Sequence, residues 1–191
     1  MAIYFISDLH FGSAWILKER SAFRTAEEMD RVLTERWNAK VNNDDTVYIL
    51  GDIGGSYTAN AVDCIQSLHG RKYLILGNHD QEWMRQYPSQ QVSALFEGIS
   101  WYEEITVGDA LLSLCHYPGL EWRGSRKNPH SYMIHGHIHT RRDTPTYAFI
   151  RKNLPNMLNC CPEINGYEPV TFEELIRNNF VWYGKTGYAK P

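Results

Sequence analysis

Long apolar runs are missing from this chain. No uncharged stretch approaches the roughly 20 residues that a bilayer-spanning helix needs. The opening MAIYFISDLH has neither a basic leader nor a cleavage-like signal, so the expectation is a cytoplasmic protein with no membrane partner. Cysteine is scarce: Cys64, Cys115, Cys160 and Cys161, of which only the last two are close, and those are adjacent rather than in CxxC spacing. That excludes a disulfide scaffold and a thiolate zinc site, and leaves free, mostly buried thiols in a reducing compartment. A large excess of either charge is absent too. Nineteen basic residues stand against 22 acidic ones, a formal charge of −3, which argues against binding nucleic acid through bulk positive charge. Internal repeats, low-complexity runs and Gly-, Ser- or Pro-rich linkers are also lacking, so 191 residues that are 43% hydrophobic fit one domain, 1–191, with a sizeable core. No sequence period identifies an oligomer interface, although an oligomer is compatible with the Trp and Tyr content.

What is present alternates. Ile3 to Ser7 reads as a buried strand, Thr25 to Trp37 as a helix opened by a Thr25/Glu28 capping box, and Asp45 to Leu50 as a second strand. Thr58 to Leu68 reads as a second helix stopped at Gly70, and Lys72 to Leu76 as a third strand. This order predicts right-handed crossovers and a parallel sheet. Further on, Glu103–Val107 and Ala110–Cys115 flank Gly108-Asp109, a hairpin signal. Ser131 to His135 reads as another strand, and Thr146–Ile150 and Met157–Cys160 as further strands. After Pro169, FEELIRNN reads as a short helix with Thr171 and Glu174 as its capping box. The sheet therefore becomes mixed, or a second sheet packs on the first.

The informative polar residues follow the strands directly. They are Asp8-Leu9-His10, Gly51-Asp52, Gly77-Asn78-His79-Asp80, His116, and His135-Gly136-His137-Ile138-His139. C-terminal strand ends of an α/β sheet gather on one edge, where ligands bind. Two carboxylates, one amide and several imidazoles thus converge, a donor set suited to borderline divalent ions such as Mn, Fe, Co, Ni or Zn. A pair of ions needs a shared ligand, and Asp52, from a central strand, is the natural bridging carboxylate. Such a pair can activate a water and clamp both oxygens of a phosphoryl transfer.

The ordered set DLH at 8–10, GD at 51–52, GNHD at 77–80, His116 and GHIH at 136–139 resembles the calcineurin-like metallophosphoesterases. The stretch from Leu158-Asn159 through Pro169 to Glu174 also resembles the tail of small bacterial members. The resemblance implies an α/β fold of two packed mixed β-sheets flanked by helices, a four-layer sandwich, and a dinuclear centre. It implies a first metal held by Asp8, His10, Asp52 and His139, and a second held by Asp52, Asn78, His116 and His137. Manganese is the first expectation for both ions, with Fe, Ni, Co or Zn as alternatives. It further implies that a metal-bridging hydroxide attacks phosphorus while His79, oriented by Asp80, contacts the phosphate and protonates the leaving oxygen. The expected substrate is a small-molecule phosphodiester, with a phosphomonoester as the alternative and a non-catalytic, metal-bearing interaction module as the alternative of another class.

Residues outside that set have plainer readings. His135 is expected to pack or hydrogen-bond behind the ligands, and His69 to sit at a helix end. The loop from Tyr117 to His130 follows His116 and carries Trp122, Arg123, Arg126 and Lys127. Arg123 and Arg126 are the candidate substrate contacts beside Asn78 and His79, with a solvated basic loop as the competing reading. His130, Arg141 and Arg142 are weaker candidates of the same kind.

Overall fold

The computed structural model describes residues 1–55 and 61–184. Its first sheet contains β1 (Ile3–Ile6), β2 (Thr46–Ile49), β3 (Arg71–Ile75), β4 (Gly98–Ser100) and the two-residue β9 (Val170–Thr171), in the order β4-β3-β2-β1-β9. The first four strands are parallel and β9 is antiparallel to β1. The second sheet is β5 (Glu103–Val107), β6 (Ala110–Leu114), β7 (Ser131–His135) and β8 (Met157–Asn159), in chain order. Here β5 and β6 form the hairpin, with Val107 opposite Ala110 across the Gly108-Asp109 turn, and β7 and β8 add in parallel. Two mixed sheets flanked by helices make the four-layer α/β/β/α sandwich.

Period-2 alternation divides each central strand between two cores. In β1, Tyr4 and Ile6 face the cluster under α1 (Ala26–Lys40) and α2 (Ala61–Ser67), while Phe5 faces the space between the sheets. In β2, Val47 and Ile49 take the first side and Tyr48 the second. The inter-sheet core also receives Leu112, Leu114, Ile134 and Leu158. Burying the side chains of Phe5, Leu112 and Ile134, all at 0% exposure, contributes on the order of 1.5–3 kcal/mol each. Behind the second sheet, Met133 and Met157 pack against Tyr147 and Ile150 of α5 (Pro145–Asn153). Finally, α6 (Phe172–Trp182) closes the margin where β8, β1 and β9 meet.

Helix starts follow local chemistry. Thr25 caps α1 by accepting from the Glu28 N–H at 3.1 Å, but the Glu28 carboxylate takes the Arg24 N–H rather than closing the expected box. Thr171 and Glu174 do close a full capping box at α6, which runs to Trp182, beyond the expected FEELIRNN. Residues 58–60, where the second helix was expected to open, lie outside the described residues.

One expected strand is a helix. Thr146–Ile150 belongs to α5, because Thr144 caps it from the Tyr147 N–H at 3.2 Å and Pro145 occupies its first turn. The aromatic and β-branched run that suggests a strand instead places Tyr147 and Ile150 on one helical face. Between β3 and β4 lie two one-turn helices that the sequence reading did not anticipate, α3 (Asp80–Met84) and α4 (Ser89–Ser93).

Candidate metal centre

Both sheets deliver side chains to the same edge. Asp8 and His10 follow β1, Asp52 follows β2, Asn78 and His79 follow β3, His116 follows β6, and His137 and His139 follow β7. The backbone there is bent in an unusual way. Among the described residues, six non-glycine positions have left-handed φ, and five of them are expected ligands: Asp8, His10, Asp52, His137 and His139, at 46° to 70°. Such conformations cost of order 1–3 kcal/mol each and persist only where the surroundings impose them. Close approach makes glycine obligatory beside two ligands: a Cβ on Gly136 would lie 2.3 Å from Asp8 Oδ2, and one on Gly77 would lie 2.3 Å from Asp52 Oδ1.

The ligand atoms form adjoining triads. Asp8, His10 and His139 place one donor atom each within 4.8 Å of one another, and Asp8, Asp52 and His116 do the same. His10 Nε2 lies 3.8 Å from Asp8 Oδ1, and His139 Nε2 lies 3.5 Å from the same oxygen. Asp52 Oδ2 stands between the two groups, 4.0 Å from His10 Nε2 and 3.4 Å from His116 Nε2. Asn78 Oδ1 is 3.1 Å from His116 Nε2. The His137 ring packs edge-on against His116 and Tyr117, and its backbone N–H donates to Asp8 Oδ2 at 3.0 Å.

Electrostatics mark the edge as a charge-storing site. Burial opposes ionisation of Asp8, yet the imidazoles of His139, His116 and His10 hold its carboxyl below the usual range. Burial lowers His10 to about 4 despite Asp8 beside it. Burial also disfavours charge on His116, but the carboxylates of Asp52 and Asp8 outweigh it and raise that ring to about 9. His10 Nε2 is buried with no hydrogen-bond partner while aimed at two carboxylates. An unpaired buried imidazole nitrogen is costly, and a divalent cation is the partner that satisfies it together with the surrounding acids. The residues therefore fit a metal pair.

The second half of the site differs from expectation. Asp80 does not touch the His79 ring. Its two carboxylate oxygens accept the backbone N–H groups of Asp52 (2.9 Å), Ile53 (3.0 Å) and Gly77 (2.8 Å) and the indole N–H of Trp83 (2.9 Å). Those four donors occupy the carboxylate, so Asp80 clamps the ends of β2 and β3 instead of orienting an imidazole. The His79 ring is partly exposed at the mouth, its centroid 5.7 Å from that of His10, with Nδ1 3.7 Å from the Glu82 carboxylate. Its backbone N–H donates to Asp52 Oδ1 at 2.8 Å.

The other candidates are engaged elsewhere. Arg123 pairs with Glu104 at 2.9 Å, and Arg126 pairs with Glu121. Trp122 packs against the core cluster behind the second sheet. His130 meets Asp109 at 3.1 Å, Arg141 meets Glu19 at 3.0 Å, and Arg142 stacks over the Trp182 ring. His135 is fully buried with Nδ1 2.8 Å from the Gly136 carbonyl, and His69 Nδ1 is 3.2 Å from the Val41 carbonyl. All four cysteines are free, and Cys160 and Cys161 are buried. Sequence reasoning missed two residues with buried side chains at the site, Arg20 and Glu163. Arg20 carries no local signal, and Glu163 is marked only by its place in the tail-like stretch after Leu158.

Two adjoining carboxylate–imidazole triads at the strand-end edge of this sandwich define a metal-dependent hydrolase. A family model described as the calcineurin-like phosphoesterase superfamily domain matches residues 1–153, and the chain belongs to that superfamily. The Gene 66 protein of Mycobacterium phage L5 is 36% identical over 161 residues, covering 72% of this chain and 77% of that protein. An uncharacterized protein of Methanocaldococcus jannaschii is 28% identical over 178 residues, covering 92% of this chain and 89% of that one. The crystal structure of a protein of unknown function from Aquifex aeolicus matches with a TM-score of 0.69 at 25% identity, covering 92% of this chain and 97% of that chain.

Proposed function

We propose that this chain hydrolyses small-molecule phosphodiesters with two manganese ions. The observation that carries the reading is the pair of triads that share Asp8, with Asp52 Oδ2 facing His10 of one as well as His116 of the other. Asp8, His10, Asp52 and His139 would hold one ion, and Asp52, Asn78, His116 and His137 the other. When bound, the pair supplies Lewis acidity that withdraws charge from the phosphoryl oxygens and makes a water-derived nucleophile available at neutral pH.

The chain's own groups do the rest. Asp52 turns Oδ2 toward the imidazoles of His10 and His116, and the His79 N–H on Oδ1 keeps the carboxylate in place. His79 stands at the open side, where its ring donates a hydrogen bond or proton to the departing oxygen. Asp80 supports this indirectly, by fixing the turns that carry Asp52 and Asn78. A diester is favoured over a monoester by the state of the arginines. A monoester dianion calls for an extra cation, but Arg20, Arg123, Arg126 and Arg141 each pair with a glutamate, and Arg142 with Trp182. Arg123 and Arg126 then contact only a substrate long enough to reach their loop and exchange with Glu104 and Glu121. A reducing, cytoplasmic setting belongs to the same proposal; the four cysteines are free, and among the described residues no helix is long and apolar enough to cross a membrane.

The test is turnover of bis-aryl and mono-aryl phosphates in parallel, with Mn²⁺, by the wild type, D52N and H79A, alongside bound metal. Expected are faster diester hydrolysis, loss of metal and turnover in D52N, and retained metal with lost turnover of poor leaving groups in H79A. A D52N variant that keeps two ions and full rate overturns the bridging role. A fully active H79A overturns the acid role. Two bound ions with no turnover favour the interaction module.

A further inference from the structure

The His139 ring is gripped from behind. Its Nε2 faces Asp8, and its Nδ1 lies 2.9 Å from Glu163 Oε1. A ring that offers Nε2 to a metal must carry its proton on Nδ1, and a carboxylate acceptor there selects that tautomer and fixes the ring plane. The Glu163 side chain is itself buried, and the same Oε1 accepts from Arg20 Nε at 2.9 Å. Burial disfavours the Glu163 charge, but Arg20 and His139 keep its carboxyl below the ordinary range.

Arg20, with no exposed surface, does more than balance that charge. Its two terminal nitrogens donate to the backbone carbonyls of Leu9, at 3.0 Å, and of Asp8. Those carbonyls belong to the turn whose left-handed residues, Asp8 and His10, are ligands. One guanidinium therefore ties the first ligand turn to the carboxylate that aims the last ligand. Glu163 lies beyond residue 153, where the family match ends. The same tail adds the Asn159 side-chain amide on the His139 carbonyl at 3.0 Å and the Cys161 thiol on Asp8 Oδ2 at 3.2 Å.

We infer that Arg20 and Glu163 are positioning residues for the metal held by Asp8, His10 and His139, so that the segment after the family-matched domain completes that half of the centre. This rests on the dinuclear reading above. A purely structural ion pair would be replaceable without regard to which metal site suffers.

The experiment is calorimetric titration of the metal-stripped full chain with Mn²⁺, comparing wild type, E163Q, E163A and H139A. H139A marks which binding step belongs to the His139 site. E163Q preserves volume and an acceptor for Arg20, so it serves if E163A fails to fold. At the His139 site the expected loss is about tenfold for E163Q and up to about a hundredfold for E163A, with the other site unchanged. Equal weakening of both sites, or of neither, overturns the inference. Selective loss in E163Q with no phosphoester turned over by the wild type refutes the functional reading and leaves the positioning role standing. Wild-type turnover with undiminished Mn²⁺ binding in E163Q refutes the positioning role alone.

Discussion

The backbone N–H of Asp52 donates to Asp80 Oδ2 at 2.9 Å. The Gly77 N–H shares that oxygen, so one buried carboxylate joins the turns after β2 and β3. Asparagine in its place offers one acceptor oxygen to four donors and turns an amide N–H₂ toward some of them. D80N is expected to lose about 2–4 kcal/mol, since buried unsatisfied donors cost roughly 1–3 kcal/mol each. Urea denaturation of the metal-stripped chain measures it. A loss below about 0.5 kcal/mol, the scale of an ordinary surface substitution, contradicts the clamp.

Metal removal has a stability signature of its own. Ligand at a hundred times its dissociation constant adds about 2.7 kcal/mol per site. For a chain of this size that is a rise of roughly 5–10 °C in Tm. H10A takes away the donor whose Nε2 is buried without a partner, so most of the first ion's share of that rise should vanish. Thermal unfolding with and without Mn²⁺ reads both effects, and an undiminished rise in H10A removes His10 from the ligand set.

Asp30 gives the fold a pH dependence away from the ligands. Its Oδ2 accepts from the Gly12 N–H at 2.8 Å, while burial is the main cause raising its carboxyl from 3.8 to about 6. Between those values the folded chain binds more protons than the unfolded chain, so this group's contribution is full below pH 3.8 and is lost as pH rises through 6. D30N should flatten that part of the stability profile and raise stability at pH 8 relative to wild type. Urea midpoints from pH 4 to 8 decide it. An unchanged slope between pH 4 and 6 rules Asp30 out as its source.

Close approach at Gly136 is testable by adding one methyl group. In G136A the new Cβ meets Asp8 Oδ2 at 2.3 Å and Ser7 Oγ at 2.5 Å, so the ligand carboxylate must move. Mn²⁺ affinity should fall by about tenfold or more, the scale of lost ligand support. G119A, where the nearest atom is the Met133 methyl at 3.5 Å, serves as the control with unchanged affinity. Equal affinities in the two variants would mean that the Gly136 turn has room to spare.

Much of the scaffold was legible because burial writes a period into the chain. Phe5 and its neighbours alternate between two cores, and the helices start at Thr25 and Thr171 as their side chains dictate. Thr146–Ile150 misled because its composition favours a strand, while the deciding group, the Thr144 cap with Pro145, lies just before it. The two-residue β9 has no local pattern and exists through its pairing with Tyr4 and Phe5. In the site, the aspartates and histidines were legible from their place after the strands. The left-handed backbone at Asp8, His10 and Asp52 was not, since no glycine stands there to announce it.

The sequence by itself determined which donor types arrive at one edge, because strand order and crossover handedness carry each strand end there whatever the side chains then do. Only the tertiary structure decided who faces whom. Asp80 turned away from His79 because three backbone N–H groups and an indole compete for its oxygens. Arg20 and Glu163, far apart in the chain, met behind His139 because each buried charge needs the other. Those pairings depend on distance and dehydration across elements, quantities that exist only once the two sheets have closed on each other.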